Sequence, residues 1–291
     1  MSLFIILVTL FVERFTNAVE NLRHFSWLDR YTSLVRGRCE GFGLGGTPTL
    51  VITVAIPLVV LVILMQLVGG ILGGLVGVLI ALAVLLLSIG PRNLGKEVDA
   101  FLEAGAMKDE EREMKHARNL LGDQVPDDAA ERARAVLQTM LTGSNGSLFA
   151  VLFWFVVLGP VGALLYRLAN LMRAPQGAEP DGFQQTATQL QGLLDWIPAR
   201  LVALFYALTG SFDRAFPVLR AGILGSWGNM AAENEALLRD AGCEAIQLTE
   251  EELKAPLEAR SAVERASSLV FRSVIAFVAI LALLTIVGVS G

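Results

Sequence analysis

The feature that most constrains this chain is a run of 43 residues, 48 to 90, that contains no charged side chain. It is too long for one crossing of a bilayer, which takes roughly 20 residues, and suits two crossings joined by a tight turn. The pair Gly69-Gly70 is the natural place for that turn. Gly69, Gly73 and Gly77 repeat every fourth residue, the small-residue spacing that lets one membrane helix lie close against another. The rest of the chain is compatible with this setting. It is 54% hydrophobic with a mean hydropathy of +0.59, too apolar for an ordinary soluble domain.

The remaining stretches alternate apolar segments with polar ones. Residues 1–16 form a short apolar helix that carries Glu13 near one end. It has no basic leader region and reads as a retained helix, not a cleaved signal. Residues 91–146 form a soluble insert with eight Lys/Arg and eleven Asp/Glu. Within it Asp109 caps a helix that stops at Gly122. A second helix follows Pro126, with Asp128 and Glu131 at capping-box spacing, and Thr142–Gly146 breaks it. Residues 147–172 form a span that Gly159-Pro160 can kink or make re-entrant. A polar helix, 184–193, leads into a further span at 197–210. A second soluble part, 211–267, holds helices near 229–241 and 249–267, and residues 268–290 form the last span.

The fold class expected is therefore all-α: a polytopic membrane helix bundle with four to six membrane segments, at about 1–16, 48–68, 71–90, 147–172, 197–210 and 268–290. Its helical insertions, 91–146 and 211–267, are soluble. If all six segments cross, 17–47, 91–146 and 211–267 share one side and hold 4, 8 and 6 Lys/Arg, whereas 173–196 holds only Arg173. The bias places the large parts in the cytoplasm and both termini outside. In the four-span alternative, 147–172 is re-entrant or 1–16 lies in the interface.

The most informative stretch is Leu194–Leu201, where an acid, a proline and an arginine interrupt an apolar helix. A helix is expected to begin or bend at Pro198. Ala199, Ala203 and Ala207 then provide a second small-residue seam. Charged groups beside a helix break in a membrane commonly line a ligand site. Asp195 and Arg200 are candidates on that ground, together with Tyr166, Arg167 and Asn170 at the end of the preceding span. The alternative is a set of interfacial anchors or an Asp195–Arg200 ion pair. Glu13, a carboxylate in an apolar segment, is a further candidate, and so are Arg112, Arg118 and Asn119, which otherwise read as the solvated face of a helix.

Several classes are excluded or weakened. The net charge of −5 and the lack of a basic, aromatic-interleaved patch argue against nucleic acid. Cys39 and Cys243, with His24 and His116, give neither a disulfide framework nor metal-ligand spacing. Gly90–Lys96 matches G-x-x-x-x-G-K, but Glu97 stands where the magnesium-binding hydroxyl belongs and a membrane helix precedes it. Arg92 and Lys96 read better as headgroup anchors. No nucleophile–base set is present, the sequence leaves the cofactor unknown, and inverted repeats that would suggest transport are lacking.

Some of these residues carry a resemblance. L-D-W-I-P-A-R-L-V-A-L-F-Y-A-L-T-G, 194–210, resembles the P-A-R-L segment of the CobD/CbiB family and its relative AmpE. L-F-W-F-V-V-L-G-P-V-G-A-L-L-Y-R-L-A-N-L-M, 152–172, resembles the stretch that precedes it there. R-N-L-G-K-E-V-D-A-F-L-E-A-G and E-E-R-E-M-K-H-A-R-N-L-L-G resemble the family's cytoplasmic arm. The likeness covers about two thirds of the chain. CobD/CbiB proteins join an aminopropanol unit to cobyric acid in an ATP-dependent amide formation. The segments that accompany that activity are altered here: V-E-R-F-T-N-A has Glu13 at an acid position, M-L-T-G-S-N-G keeps Asn145 and Gly146, and the late loop reads M-A-A-E-N-E-A-L-L.

The N-terminal V-E-R-F and the compact length are more similar to AmpE. That resemblance implies a bacterial inner-membrane protein linked to β-lactamase induction and cell-wall stress. Membrane lipid is expected around it, and the charged groups beside Pro198 and Pro160 are expected to line a polar cavity for a small anionic or cell-wall-related ligand. The expected ligand set is Glu13, Arg118, Arg167, Asn170, Asp195 and Arg200, in a single chain or a homo-oligomer.

Overall fold

The computed structural model describes residues 2–15, 26–68, 74–90, 94–174, 179–223 and 229–286. Their regular structure is all helix, joined by short turns, with no strand among the described residues. In order they form α1 (Ser2–Phe15), α2 (Ser26–Gly41), α3 (Gly46–Val68), α4 (Leu75–Ser88), α5 (Leu94–Ala106), α6 (Glu110–Leu121) and α7 (Ala129–Ser144). A π-helical segment, Asn145–Phe149, leads into α8 (Ala150–Leu171). Then come α9 (Gly182–Thr209), α10 (Phe212–Gly222), α11 (Met230–Ala245) and α12 (Pro256–Ile286).

Four helical segments are long and apolar enough to cross a membrane: α3, the continuous run from α7 into α8, α9 and α12. At 1.5 Å per residue α3 is about 35 Å long, sufficient for a hydrocarbon core of about 30 Å. Its outer face leaves Val59, Val60, Ile63 and Leu67 exposed, which water would penalise and lipid does not. The protein is a multi-pass membrane protein. At 14 residues each, α1 and α4 reach only about 21 Å. The chain divides into two compact units, residues 1–91, 150–194 and 285–291 in the first and 92–149 and 195–284 in the second.

In the first unit α4 packs on α8 and α1, and α3 packs on α2 and α8. Leu50 and Val54 of α3, Leu168 and Met172 at the end of α8, and Phe183 and Ala187 of α9 share a buried cluster with Leu28. At α9's start, Asp181 Oδ1 accepts the Gln184 backbone N–H at 2.8 Å, and Gln184 Oε1 accepts the Asp181 N–H at 3.1 Å. This reciprocal capping box sets where the helix begins. Arg36 pairs with the same carboxylate at 2.5 Å and lies over the Phe183 ring. The Gln184 N–H, then Arg36, hold the Asp181 carboxyl below its ordinary range. Gly46 is required by closeness: a Cβ there would lie 2.5 Å from the Gly182 carbonyl oxygen.

In the second unit α5, α6 and α7 pack on one another and α10 packs on α11. The small-residue seam of α9 is buried, with Ala199, Ala203 and Ala207 fully covered. Ala203 packs with Leu219 of α10 and with Leu237 and Ala241 of α11. Phe277 of α12 meets Phe149 and Phe205 edge-on at 5.7 and 5.6 Å, a favoured aromatic geometry. The expected caps are present: Asp109 accepts the Arg112 N–H, Asp128 accepts those of Ala130 and Glu131, and Gly122 closes α6 at φ 75°.

Four local expectations are corrected. Thr142–Gly146 does not break the chain's helix; α7 continues to Ser144 and passes through the π segment into α8. No helix begins at Pro198, which lies inside α9. Residues from 256 onward form one helix, α12, so the late soluble helix and the last span are continuous. Gly77 has open space where its Cβ would be, so it is not in close helix contact within the chain; Gly69 and Gly73 lie outside the described residues. In each of the first three cases the apolar window marks only part of a longer helix whose remaining turns carry polar residues.

Candidate functional site

The π-helical segment brings polar groups together in the second unit. Asn145, only 3% exposed, donates from Nδ2 to Asp195 Oδ1 at 2.7 Å. Its Oδ1 is buried and has no hydrogen-bond partner among the described residues. Such an orphaned acceptor carries a desolvation penalty of about 1–3 kcal/mol, which a ligand donor would relieve. One residue earlier, the Ser144 hydroxyl lies 2.7 Å from the Tyr206 hydroxyl, and both reach the Leu141 carbonyl, at 3.1 and 2.8 Å. π-helical turns within longer helices are frequent at functional sites. Here the turn places Asn145, from one segment of sequence, against Asp195, from another.

Arg200 is committed elsewhere in the same unit. Its Nη1 donates to the Trp196 carbonyl at 2.8 Å and to Asn234 Oδ1 at 3.0 Å, and its Nη2 donates to the Gly222 carbonyl at 2.8 Å. Its guanidinium also lies over the Trp196 ring, 4.2 Å from the centroid. Arg200 thus fastens α9 to α11 and to the end of α10. Five positions apart, Asp195 and Arg200 point about 140° apart around a helix, so each meets a different neighbour.

The other expected residues are distributed as follows. Arg118 is exposed on α6. Beside it His116 Nδ1 and Asn119 Nδ2 approach Glu97 Oε2 at 2.9 and 3.1 Å. Arg112 is exposed at the start of α6. Tyr166 and Arg167 are buried in the first unit and Asn170 is half-buried there. The side chain of Glu13 lies outside the described residues.

Sequence reading missed one cluster altogether. Glu113 and Arg132, 2% and 1% exposed, form an ion pair at 3.3 Å. Arg260 joins them, its Nη2 2.5 Å from Glu113 Oε2, and Arg132 Nη1 also caps the Pro126 and Asp127 carbonyls. The triad ties α6, α7 and α12. Gly105 of α5 is glycine because a Cβ would lie 2.7 Å from Arg260 Nε. Glu113 sits in a charge-dense run with nothing local to distinguish it from its exposed neighbours.

The family model described as "Regulatory signalling modulator protein AmpE" matches residues 1–290. The chain belongs to the AmpE family. It is also similar to cobalamin biosynthesis proteins CobD. The protein from Chromobacterium violaceum is 36% identical over 137 residues, 44% of this chain and 43% of the relative. That from Stutzerimonas stutzeri is 34% identical over 142 residues, 46% of each. A probable CobD of Pyrococcus abyssi is 32% identical over 82 residues, 27% of this chain and 28% of the relative. The match spans less than half the length of these curated relatives. No solved structure matches the chain.

Proposed function

We propose that this AmpE-family chain is an inner-membrane sensory or regulatory protein linked to cell-wall stress and β-lactamase induction. The observation that carries the reading is the family match over 1–290. The site we assign to it is the Asn145–Asp195 pair at the π-helical turn. Both groups offer acceptor oxygens, so the pair suits the amide, amine or hydroxyl donors of a small cell-wall-related molecule. An anionic part of such a ligand needs a cation from elsewhere, because both terminal nitrogens of Arg200 are engaged by the protein. The test is β-lactamase induction by a sub-inhibitory β-lactam in cells lacking the gene, complemented with wild type or with Asn145→Ala. Loss of inducibility on deletion, restored by wild type and not by the folded variant, supports the reading. Unchanged induction in the deletion strain rejects it.

A second reading is an ATP-dependent amide-forming enzyme acting on an altered substrate. It is favoured by the CobD relatives at 36% and 34% identity. Nucleotide-dependent phosphate release that is lost in Asp195→Asn would support it. A protein in detergent that binds no nucleotide would count against it.

A further inference from the structure

A cleft of about 370 Å³ opens elsewhere in the second unit, lined by the end of α9 (Thr209, Gly210), Ser211, the end of α11 with Gln247, and α12 (Arg265, Ser268, Arg272). Arg265, Ser268 and Arg272 are spaced i, i+3 and i+7 on α12. That spacing puts them on one face, with the backbone positions of the two arginines about 10 Å apart along the axis and a serine between them, and both long side chains line the same cleft. Arg265 is held in place by Glu252, 2.8 Å from its Nη2, and its Nε is buried without a partner among the described residues. Arg272 donates from Nε to the Ser268 carbonyl at 3.3 Å, and no acidic side chain among the described residues pairs with it. The charge of Arg265 is balanced by Glu252 while that of Arg272 is not, so the cleft carries a net positive charge.

The opposite wall is shaped for the same chemistry. Ser211 precedes α10 but its hydroxyl makes no capping bond, although its N–H is engaged by the Ala245 carbonyl at 2.8 Å. Gly210 allows the close approach, since a Cβ there would lie 2.7 Å from that same carbonyl oxygen. Gln247 adopts a left-handed φ of 56°, a strained conformation for a residue other than glycine that persists where the surroundings enforce it. The cleft wall thus offers hydroxyl and amide donors opposite two arginines.

Its level in the membrane follows from the exposed apolar residues. Along α12 the exposed large apolar side chains begin within the cleft's own turns at Phe271, 57% exposed and next to Arg272, and continue past it with Ile275, Ile280 and Leu283. At the start of α10, exposed Phe212 and Phe216 stack 4.9 Å apart. Aromatic rings and an amphipathic helix next to arginines are the marks of the headgroup layer.

We propose that this cleft binds a phosphate-type anion, gripped by Arg265 and Arg272 and hydrogen-bonded by Ser211 and Ser268, at the water–lipid boundary. A phosphate group matches two guanidinium forks and hydroxyl donors better than a carboxylate, which has fewer acceptor oxygens to share among them. The phosphate can come from a lipid headgroup or from a soluble phosphate, and the experiment separates these sources.

Purified protein in a neutral detergent is offered phosphatidylglycerol or phosphatidylcholine in equal amount, and bound lipid is read by native mass spectrometry. In parallel, inorganic phosphate is titrated against thermal unfolding. Retention of phosphatidylglycerol over phosphatidylcholine, weakened at least tenfold by the double change Arg265→Gln, Arg272→Gln, supports the proposal with a lipid source. Thermal protection by inorganic phosphate, lost in the same variant and without lipid preference, supports it with a soluble source. Ser268→Asp places a carboxylate between the arginines without touching the Glu252 pair and should weaken binding equally, which covers failure of the double variant to fold. Lys108→Gln with Lys115→Gln, at exposed positions away from the cleft lining, should change nothing. Neither lipid preference nor phosphate protection in wild type, or binding unchanged in Ser268→Asp, overturns the proposal.

Discussion

The indole Nε1 of Trp154 donates to the backbone carbonyl of Leu194 at 3.0 Å, and that carbonyl is four residues before Pro198. Inside an α-helix residue 198 would ordinarily donate its N–H to residue 194. Proline has no N–H, so the Leu194 carbonyl loses that partner and the indole replaces it. This is why α9 can run through Pro198 without ending there.

The relationship is testable by a double-mutant cycle. Trp154→Phe should destabilise the protein by about 1–3 kcal/mol, the penalty of a buried unpaired carbonyl. With Pro198→Ala present, the new N–H satisfies Leu194 and the loss from Trp154→Phe should shrink by about 1 kcal/mol. Equal losses in both backgrounds would show that the indole does not substitute for the missing donor.

Removing Glu113 should be among the most damaging single changes in the second unit. Glu113→Ala leaves Arg132 and Arg260 facing one another in a buried setting, which corresponds to a loss of about 3–5 kcal/mol. Glu111→Ala, at an exposed position of the same helix, should stay within about 0.5 kcal/mol. Thermal unfolding in detergent measures both, and equal effects would deny the triad a structural role.

The start of α9 should depend on acid. The Asp181 carboxyl is held below its ordinary range, so its stabilising contribution is complete above the unfolded pKa of about 3.9 and disappears as pH falls through the lower folded value. Asp181→Ala should therefore speed amide exchange at Gln184 near neutral pH, by the loss of a cap of about 1 kcal/mol. The difference between variant and wild type should vanish below the folded pKa. A difference that persists there would assign the effect to something other than the carboxylate.

Cys243 should react slowly with maleimide. Burial first, and then Asp240, raises its thiol pKa to about 11. At pH 8 its thiolate fraction is then lower than that of an ordinary thiol by roughly a hundredfold or more. Its labelling rate should keep climbing between pH 9 and 10, where a free cysteine levels off. A rate matching free cysteine at pH 8 would contradict this environment.

Membrane sidedness follows from the distribution of Lys and Arg. A cysteine at exposed Pro180 should react with an impermeant maleimide in intact spheroplasts. One at exposed Met107 should react only after permeabilisation. Labelling of both from the same side would require a different number of crossings between them.

The chain's sequence determined the helical class, the membrane setting and the caps at Asp109, Asp128 and Gly122, because hydropathy and capping act over a few neighbouring residues. It also marked 194–210 as the segment to watch and supplied the family resemblance that the match over 1–290 bears out. Tertiary structure alone decided what those residues touch. Pro198 reads as a helix start because proline's missing N–H is a local signal, whereas the indole that compensates for it belongs to Trp154, 40 residues before the Leu194 carbonyl it serves. Arg200 looked available for a ligand because its partners, Gly222 and Asn234, are distant in sequence. Asn145 and Asp195 became a pair, and Glu113 a buried carboxylate, only through packing between helices. A charge on an isolated helix costs nothing in water, and its meaning changes only when other helices bury it.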